Sequence, residues 1–500
     1  MAWLSDVWLP GQLLAVFTGL LFTAFVLRAV YYIWLHPLSK YPGPWYAKTT
    51  NLIYYVIECR GELIPWICRQ HARYGPTVRL GPERLSFTDA AAWADIYGGR
   101  GRGANPRVYS FPKDPWWAQV LDSINSEGVP SLATHPSDEQ HARLRRIFSP
   151  AFSEQALRRQ AGMLTPEYMG IVSDPIDMVR VFNYATFDIT TELVFGESLG
   201  MLADGEYVPW VANVFDSFKA MIYVAFPVAR LGPVARFAKR YLLPASLKQL
   251  IDSHMRFVRD RVDARLDRKS DQPDLWNLVL GADGKAPLTR HEMYSNAAAF
   301  VLAGAETSAT LLSALTYLLL KDPQRMRRLV REVRGAFGTE QDMTFEALAQ
   351  LEYLKACISE GMRIFPPLPA SGARAVPREG GIICGDFIPG GTHVGVYHYV
   401  AYHSPANFEE PDAFIPERWL PGSGFDRDKK EAFEPFEVGP RNCIGQSLAN
   451  HEMRLLMAKV LWHFDFELLP QSADWAERCK VFTIWEKPPL MLQACRAERV

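Results

Sequence analysis

Cys443 lies in the run FEVGPRNCIG (Phe436–Gly445), between an arginine–asparagine pair and a glycine, just ahead of a stretch that reads as helix. A cysteine so placed can act as a thiolate ligand. Burial alone favours the neutral thiol, so the anion needs help. The sequence offers three sources. A helix expected to begin at Ile444 would turn its free N–H groups toward the sulfur. Gly439 and Gly445 let backbone amides approach closely. Arg441 adds positive charge two residues away. On local physics alone, a buried structural cysteine on a helix-capping loop still outweighs a ligand. The other chemical group is AGAETS (Ala303–Ser308), where Glu306 and the hydroxyls sit inside an apolar stretch. Polar groups there are costly unless they have partners or a task. The chain has seven cysteines, an odd number, and no C-x-x-C pair. That argues against a disulfide framework or a zinc site.

The longer pattern changes the weights. A-G-x-E-T occurs at Ala303–Thr307, E-x-x-R at Glu360–Arg363 and P-E-R-W at Pro416–Trp419; F-x-x-G-x-R-x-C-x-G follows at Phe436, Gly439, Arg441, Cys443 and Gly445. In that order they resemble the cytochrome P450 superfamily, over almost the whole chain. Trp419 replaces the family's usual Phe and keeps an aromatic anchor. The resemblance implies an α+β, mainly helical fold, with a smaller β-rich region beside a helical haem domain. It makes Cys443 the axial ligand of the iron of haem b (iron protoporphyrin IX), with Phe436 and Gly445 in the haem-binding loop. Ala303 and Gly304 would border the oxygen side, with Gly304 leaving space for dioxygen. Thr307 would hydrogen-bond the reacting oxygen, and Glu306 would help supply protons. Glu360, Arg363 and Arg418 would form a buried set that keeps the cysteine loop in register. The propionates would be met by Arg145, Arg374, Arg441 and His141, the last standing where the family has Trp.

The activity implied is oxidation of R–H by O2, two electrons and two protons to R–OH and water. Electrons would come from NADPH through NADPH–cytochrome P450 reductase, with Arg143, Arg146, Arg158 and Arg159 as a basic docking surface. The 105–125 loop, the Trp210–Phe226 region, Phe300, Ala303, Pro369–Gly372 and Phe482–Ile484 would line a pocket for a lipophilic substrate. HPLSKYPGPW, HARLRRIFSPAFS and the segment after Cys443 are similar to fungal members that tailor secondary metabolites. A haem-thiolate isomerase or dehydratase, and a haem-binding sensor or carrier, are the alternatives. The first often lacks the acid–threonine pair. For the second, nothing in the sequence resembles an output domain.

These residues need elements to position them. Thr289–Glu292 has the form of a capping box, and the run to Leu320 is apolar nearly all round before Asp322-Pro323. About 30 residues make a helix about 45 Å long, expected to run buried through a large domain. Residues 77–89 read as two short strands about a Gly-Pro turn, 98–136 as loop, 138–334 as mostly helix, 374–400 as hairpins, and 443–464 as helix. Leu9–Leu27 carries no charge, and Arg28, Tyr31, Tyr32 and Trp34 follow. This predicts a membrane anchor over 1–36, a proline-rich linker over 37–50 and a catalytic domain over 51–500. The basic flank places the body in the cytosol, on the endoplasmic reticulum membrane. With 54 Lys+Arg against 55 Asp+Glu in 500 residues, the charge balance gives no support for nucleic-acid binding.

Overall fold

A computed structural model describes residues 5–99, 110–114, 128–160, 175–211, 245–268, 272–280 and 288–497. Helix Ser5–Val30 continues into a π-helical turn, Tyr31–Leu35. Gln12–Leu35 is long and apolar enough to cross a membrane, and its most apolar window has no buried residue. The proline-rich segment behind it is docked on the body. Leu38 and Tyr41 are buried, and Arg79 donates its amide to Pro42 O at 2.7 Å and its Nη1 to Tyr32 O at 2.8 Å. A Cβ on Gly43 would lie 2.2 Å from Arg79 O, so only glycine allows this approach.

The apolar run beyond Thr289 forms one helix of 32 residues, Arg290–Lys321. Its capping box is complete: Glu292 N donates to Thr289 Oγ1 at 3.2 Å and Thr289 N to Glu292 Oε2 at 2.8 Å. This central helix joins two apolar clusters. Leu311, Leu312, Leu315 and Leu319 belong to one, and Val301 and Ala305 to the other. It packs along helix Met178–Phe195, and Asp322 then caps the next helix, Pro323–Ala336.

A four-stranded sheet orders Thr77–Gly81, Arg84–Phe87, His393–Val396 and Arg374–Ala375 side by side. The first two form the expected hairpin. Within 374–400, only Gly381–Ile383 and Asp386–Ile388 pair as a hairpin. Residues 393–396 instead run parallel to 84–87, joining segments about 300 residues apart that local alternation cannot link. The expected helical region is interrupted by strand Ile176–Asp177. The C-terminal helix spans Gln446–His463, starting later than Ile444, and Phe464 already belongs to a strand. Of the expected 98–136 loop, residues 100–109 and 115–127 lie outside the described residues, as does 212–226 of the Trp210–Phe226 region.

Candidate haem site

The cysteine loop folds back on itself. Cys443 N donates to Phe436 O at 2.9 Å and Asn442 N to Gly439 O at 3.2 Å. Gly439 has φ +79, and a Cβ there would meet Tyr97 O at 2.1 Å, so the turn demands glycine. Gly445 caps the helix, and a Cβ on it would make only ordinary contact with Cys443 Sγ at 3.9 Å. Phe436 is half-buried against the larger apolar cluster. Cys443 is solvent-accessible yet deeply enclosed, which fits a side chain facing an internal space. Burial pushes its thiol up, while a backbone hydrogen bond from Gly445 and the charge of Arg145 pull it down. The helix start therefore acts on the sulfur, but the cation beside it is Arg145, not Arg441. Arg145 also binds Asn442, through Nη1 to the carbonyl at 2.5 Å and Nη2 to Oδ1 at 2.6 Å. Arg441 turns to Asp138 at 2.7 Å and His135 O at 2.8 Å, tying the loop to the start of helix Asp138–Phe148.

The loop is supported by a dry ionic set. Glu360, Arg363 and Arg418 are fully buried. Arg363 chelates Glu360 through Nε at 2.9 Å and Nη2 at 2.8 Å; Arg418 Nε reaches Glu360 Oε1 at 3.0 Å and its Nη1 reaches Asp428 at 2.5 Å. Arg363 Nη1 donates to Tyr402 O at 3.0 Å, and Tyr402 OH accepts from Glu434 N at 3.0 Å, two residues before Phe436. The set is thus linked to the loop by hydrogen bonds. Trp419 is more than an aromatic anchor, because its Nε1 donates to Glu360 Oε2 at 2.9 Å.

A group of cations converges beside this loop. His141 is buried, and its pKa is pushed down to about 3 by burial first, then by Arg441, Lys113, Arg145 and Arg374. Lys113 went unread in sequence because it lies in a segment without periodicity; a β-bridge to Arg374 places it here. Arg374 is buried with Nε and Nη1 unpartnered, and its Nη2 is a long 3.4 Å from Glu437. Four cations around a buried imidazole, one of them with open donors, form a setting that an anionic ligand would complement. The two propionates of haem fit that requirement, and Cys443 fits the iron.

The central helix offers three different faces in consecutive residues. Ala303 is exposed in the middle of a largely buried helix, and Thr307 Oγ1 donates to Ala303 O at 2.7 Å. Glu306 is buried on another face, ion-paired with Lys487 and accepting from Thr310 at 3.1 Å. Ser308 Oγ donates to Glu452 Oε2 at 2.7 Å, and burial pushes that carboxyl up to about 8. Glu306 and Thr307, adjacent in sequence, are therefore not side by side in space. At Gly304 a Cβ would meet Thr190 at 3.0 Å, so its missing side chain serves helix packing rather than open space. Phe300, Phe482, Ile484 and Ile444 pack on one cluster with Val301 and Ala305, which brings the cysteine loop to this end of the helix. Of the four arginines on the expected docking face, Arg143 pairs with Glu292 and Arg158 with Glu346 at 3.0 Å; Arg146 is exposed and the Arg159 side chain lies outside the described residues.

A family profile for cytochrome P450 matches residues 108–494. The chain is 41% identical over 481 residues to "Cytochrome P450 monooxygenase FUM2" of Gibberella moniliformis, covering 94% of this chain and 100% of the relative. It is 40% identical to "Cytochrome P450 monooxygenase efuB" of Hormonema carpetanum, over 95% of this chain and 94% of that one. To "Cytochrome P450 monooxygenase astJ" of Aspergillus oryzae it is 39% identical, with 93% of each covered. Full-length likeness at this level, together with a cysteine loop, a buried glutamate–arginine set and a cation cluster in one fold, places the chain in the cytochrome P450 family.

Proposed function

We propose that this P450 monooxygenase binds haem b and oxidises a lipophilic small molecule, as a tailoring step in fungal secondary metabolism. The observation that carries the haem reading is Arg374, buried beside Cys443's loop with two open guanidinium nitrogens among like charges. The relatives' printed activity supports the reaction class. Arg374, Arg145, Arg441, Lys113 and His141 would hold the propionates, and Cys443 would ligate the iron. When bound, the haem supplies oxygen activation, which a thiolate ligand favours. The chain's own part is to orient, to exclude water and to manage protons. Thr307, whose hydroxyl donates to Ala303 O in the protein alone, would be the hydrogen-bond donor on the oxygen side, and Glu306 would help resupply protons. Phe300, Phe482 and Ile484, packed in one apolar cluster, would give a substrate pocket beside them its apolar character. Electrons come from NADPH through NADPH–cytochrome P450 reductase. The N-terminal helix holds the enzyme, single-pass, on the endoplasmic reticulum with its body in the cytosol.

The test is the ferrous carbonyl spectrum and NADPH-dependent oxygen consumption, with reductase, in wild type and Cys443→Ala. Wild type should give the red-shifted Soret band and an oxygenated product; Cys443→Ala should lose both. A thiolate-type band in Cys443→Ala overturns the ligand assignment. A normal band with product formed without oxygen uptake favours the isomerase.

A further inference from the structure

Glu437 stands in a backbone conformation that side chains usually avoid. Among the described residues only four other than glycine have positive φ, and Glu437, at φ +57, lies inside the cysteine loop, between Phe436 and Cys443. A residue with a Cβ enters this left-handed region at a cost, and such strain persists where surrounding contacts require it. The turn is fixed by Glu437 N, which donates to Glu434 O at 3.0 Å. The carboxylate then crosses to strand Arg374–Ala375 and the turn before it. Its Oε1 accepts from Gly372 N at 3.3 Å, and its Oε2 meets Arg374 Nη2 at 3.4 Å. Arg374 is held on another side by Tyr97, whose ring centroid lies 5.1 Å from the guanidinium. Tyr97 is itself fixed: its OH pairs with Ser371 Oγ and accepts from Val396 N at 3.1 Å, and its carbonyl fills the space that a side chain on Gly439 would need. Arg374 is thus gripped from the cysteine loop and from a residue packed on that loop, while its Nε and Nη1 stay open. The charge of Glu437 also reaches Cys443, where it pushes the thiol up against the pull of Gly445 N and Arg145.

We propose that Glu437 is a positioning residue for the haem: it ties Gly372 and Arg374 to the cysteine loop, leaving Nε and Nη1 of Arg374 for a propionate, and its negative charge within that loop holds the iron's reduction potential down. The proposal rests on the haem reading above. Reduction adds an electron to the iron, so a fixed anion nearby opposes it, and removing the anion favours the ferrous state. One unit charge acting across about 12 Å, at an effective dielectric constant of about 20, changes an equilibrium about tenfold. The Glu437 side chain is 21% exposed, so mobile ions screen part of this and bring the expected effect toward about threefold.

The experiment is a dithionite redox titration of the full-length holoenzyme, with the rate of haem loss to apomyoglobin measured beside it. Glu437→Gln keeps an acceptor for Gly372 N and loses only the charge. Its ferric–ferrous equilibrium should move about threefold to tenfold toward ferrous, a rise of about 28–59 mV for one electron. Glu437→Asp keeps the charge and should stay at the wild-type potential. Glu437→Gly suits the backbone but removes the tie, so it should show the same rise and lose haem at least about threefold faster. Because glycine relieves the left-handed strain, faster loss there reports the missing carboxylate and not a disturbed turn. The rise should shrink at high salt. If Glu437→Gln fails to take up haem, Glu437→Gly carries both readouts. An equilibrium within about 1.5-fold of wild type in Glu437→Gln and Glu437→Gly, or one moved toward ferric, overturns the charge role. Unchanged haem loss in Glu437→Gly overturns the tie. Wild type without a thiolate-type carbonyl band overturns the haem reading and the proposal with it, whereas a normal band with an unmoved potential removes only the role of Glu437.

Discussion

Replacing Trp419 with Phe gives the P-E-R-F form of the motif that Pro416–Trp419 resembles, yet it should destabilise this protein. Glu360 is fully buried and accepts five hydrogen bonds. Three reach Oε1, from Arg363 Nη2 at 2.8 Å, Ile415 N at 2.8 Å and Arg418 Nε at 3.0 Å. Oε2 has only two, from Arg363 Nε and Trp419 Nε1, both at 2.9 Å. Phe keeps the aromatic contact with Phe433 but removes the N–H. A hydrogen bond to a charged group is worth about 1.5–3 kcal/mol. Taking about 2 kcal/mol, the unfolding equilibrium of Trp419→Phe should shift about 30-fold. Glu360→Ala should cost more, about 3–5 kcal/mol, since it leaves Arg363 buried without a carboxylate and leaves Arg418 with Asp428 alone. The assay is urea unfolding of holoenzyme, followed by the ferrous carbonyl band and by far-UV dichroism. Because Tyr402 links the set to the loop before Phe436, the carbonyl band should fail at lower urea than the helix signal. If Trp419→Phe unfolds within about 0.5 kcal/mol of wild type, as an ordinary surface substitution does, the indole N–H is not supporting Glu360.

Three further outcomes are expected. Thr307→Ala should keep the carbonyl spectrum and consume NADPH but divert more of it to hydrogen peroxide; peroxide and product per NADPH give the answer, and wild-type coupling makes Thr307 structural. Removing residues 1–30 should move much of the protein out of the membrane fraction with stability intact. Removing 1–36 should cost about 1 kcal/mol more, because Arg79 loses its bond to Tyr32 O; equal stability of the two truncations would show that this bond contributes nothing. Glu452 has its folded pKa raised from 4.5 to about 8, so the folded state holds a proton that the unfolded chain releases. That relative stability is full below about 4.5 and falls as pH rises toward about 8. Glu452→Gln should therefore gain on wild type across that window in denaturant titrations, and a pH-independent difference would mean the acid is ionised in the fold.

What could be read from sequence was what is local. The capping box at Thr289, the glycine turn before Cys443 and the Thr77–Phe87 hairpin each depend on neighbours a few residues away. The E-x-x-R pair at Glu360 and Arg363 is also local, an i,i+3 contact on one helix. The cation cluster was legible only in part. His141, Arg145, Arg374 and Arg441 came from motif matching, while Lys113 depends on a bridge between distant segments. Arg441 illustrates the limit: its sequence distance from Cys443 is short, but its guanidinium follows Asp138 and leaves the sulfur to Arg145.

The A-G-x-E-T segment shows why proximity in sequence misleads most on a buried helix. Successive side chains turn about 100°, so Glu306, Thr307 and Ser308 must point three ways. Each finds a different answer: Lys487 from the C-terminal strands, the helix's own Ala303 carbonyl, and Glu452 from the helix that follows Cys443. No reading of the helix alone could assign these partners, because two of the three come from more than 140 residues away. The arrangement also separates the two acids chemically. Glu306 is matched by a cation, whereas Glu452 has only a hydroxyl and an open Oε1, so burial favours its neutral form. One helix thus carries a paired carboxylate and touches a neutral acid within three residues of each other, on either side of Thr307. Charge on one flank and a held proton on the other set the electrostatic setting in which that hydroxyl must act.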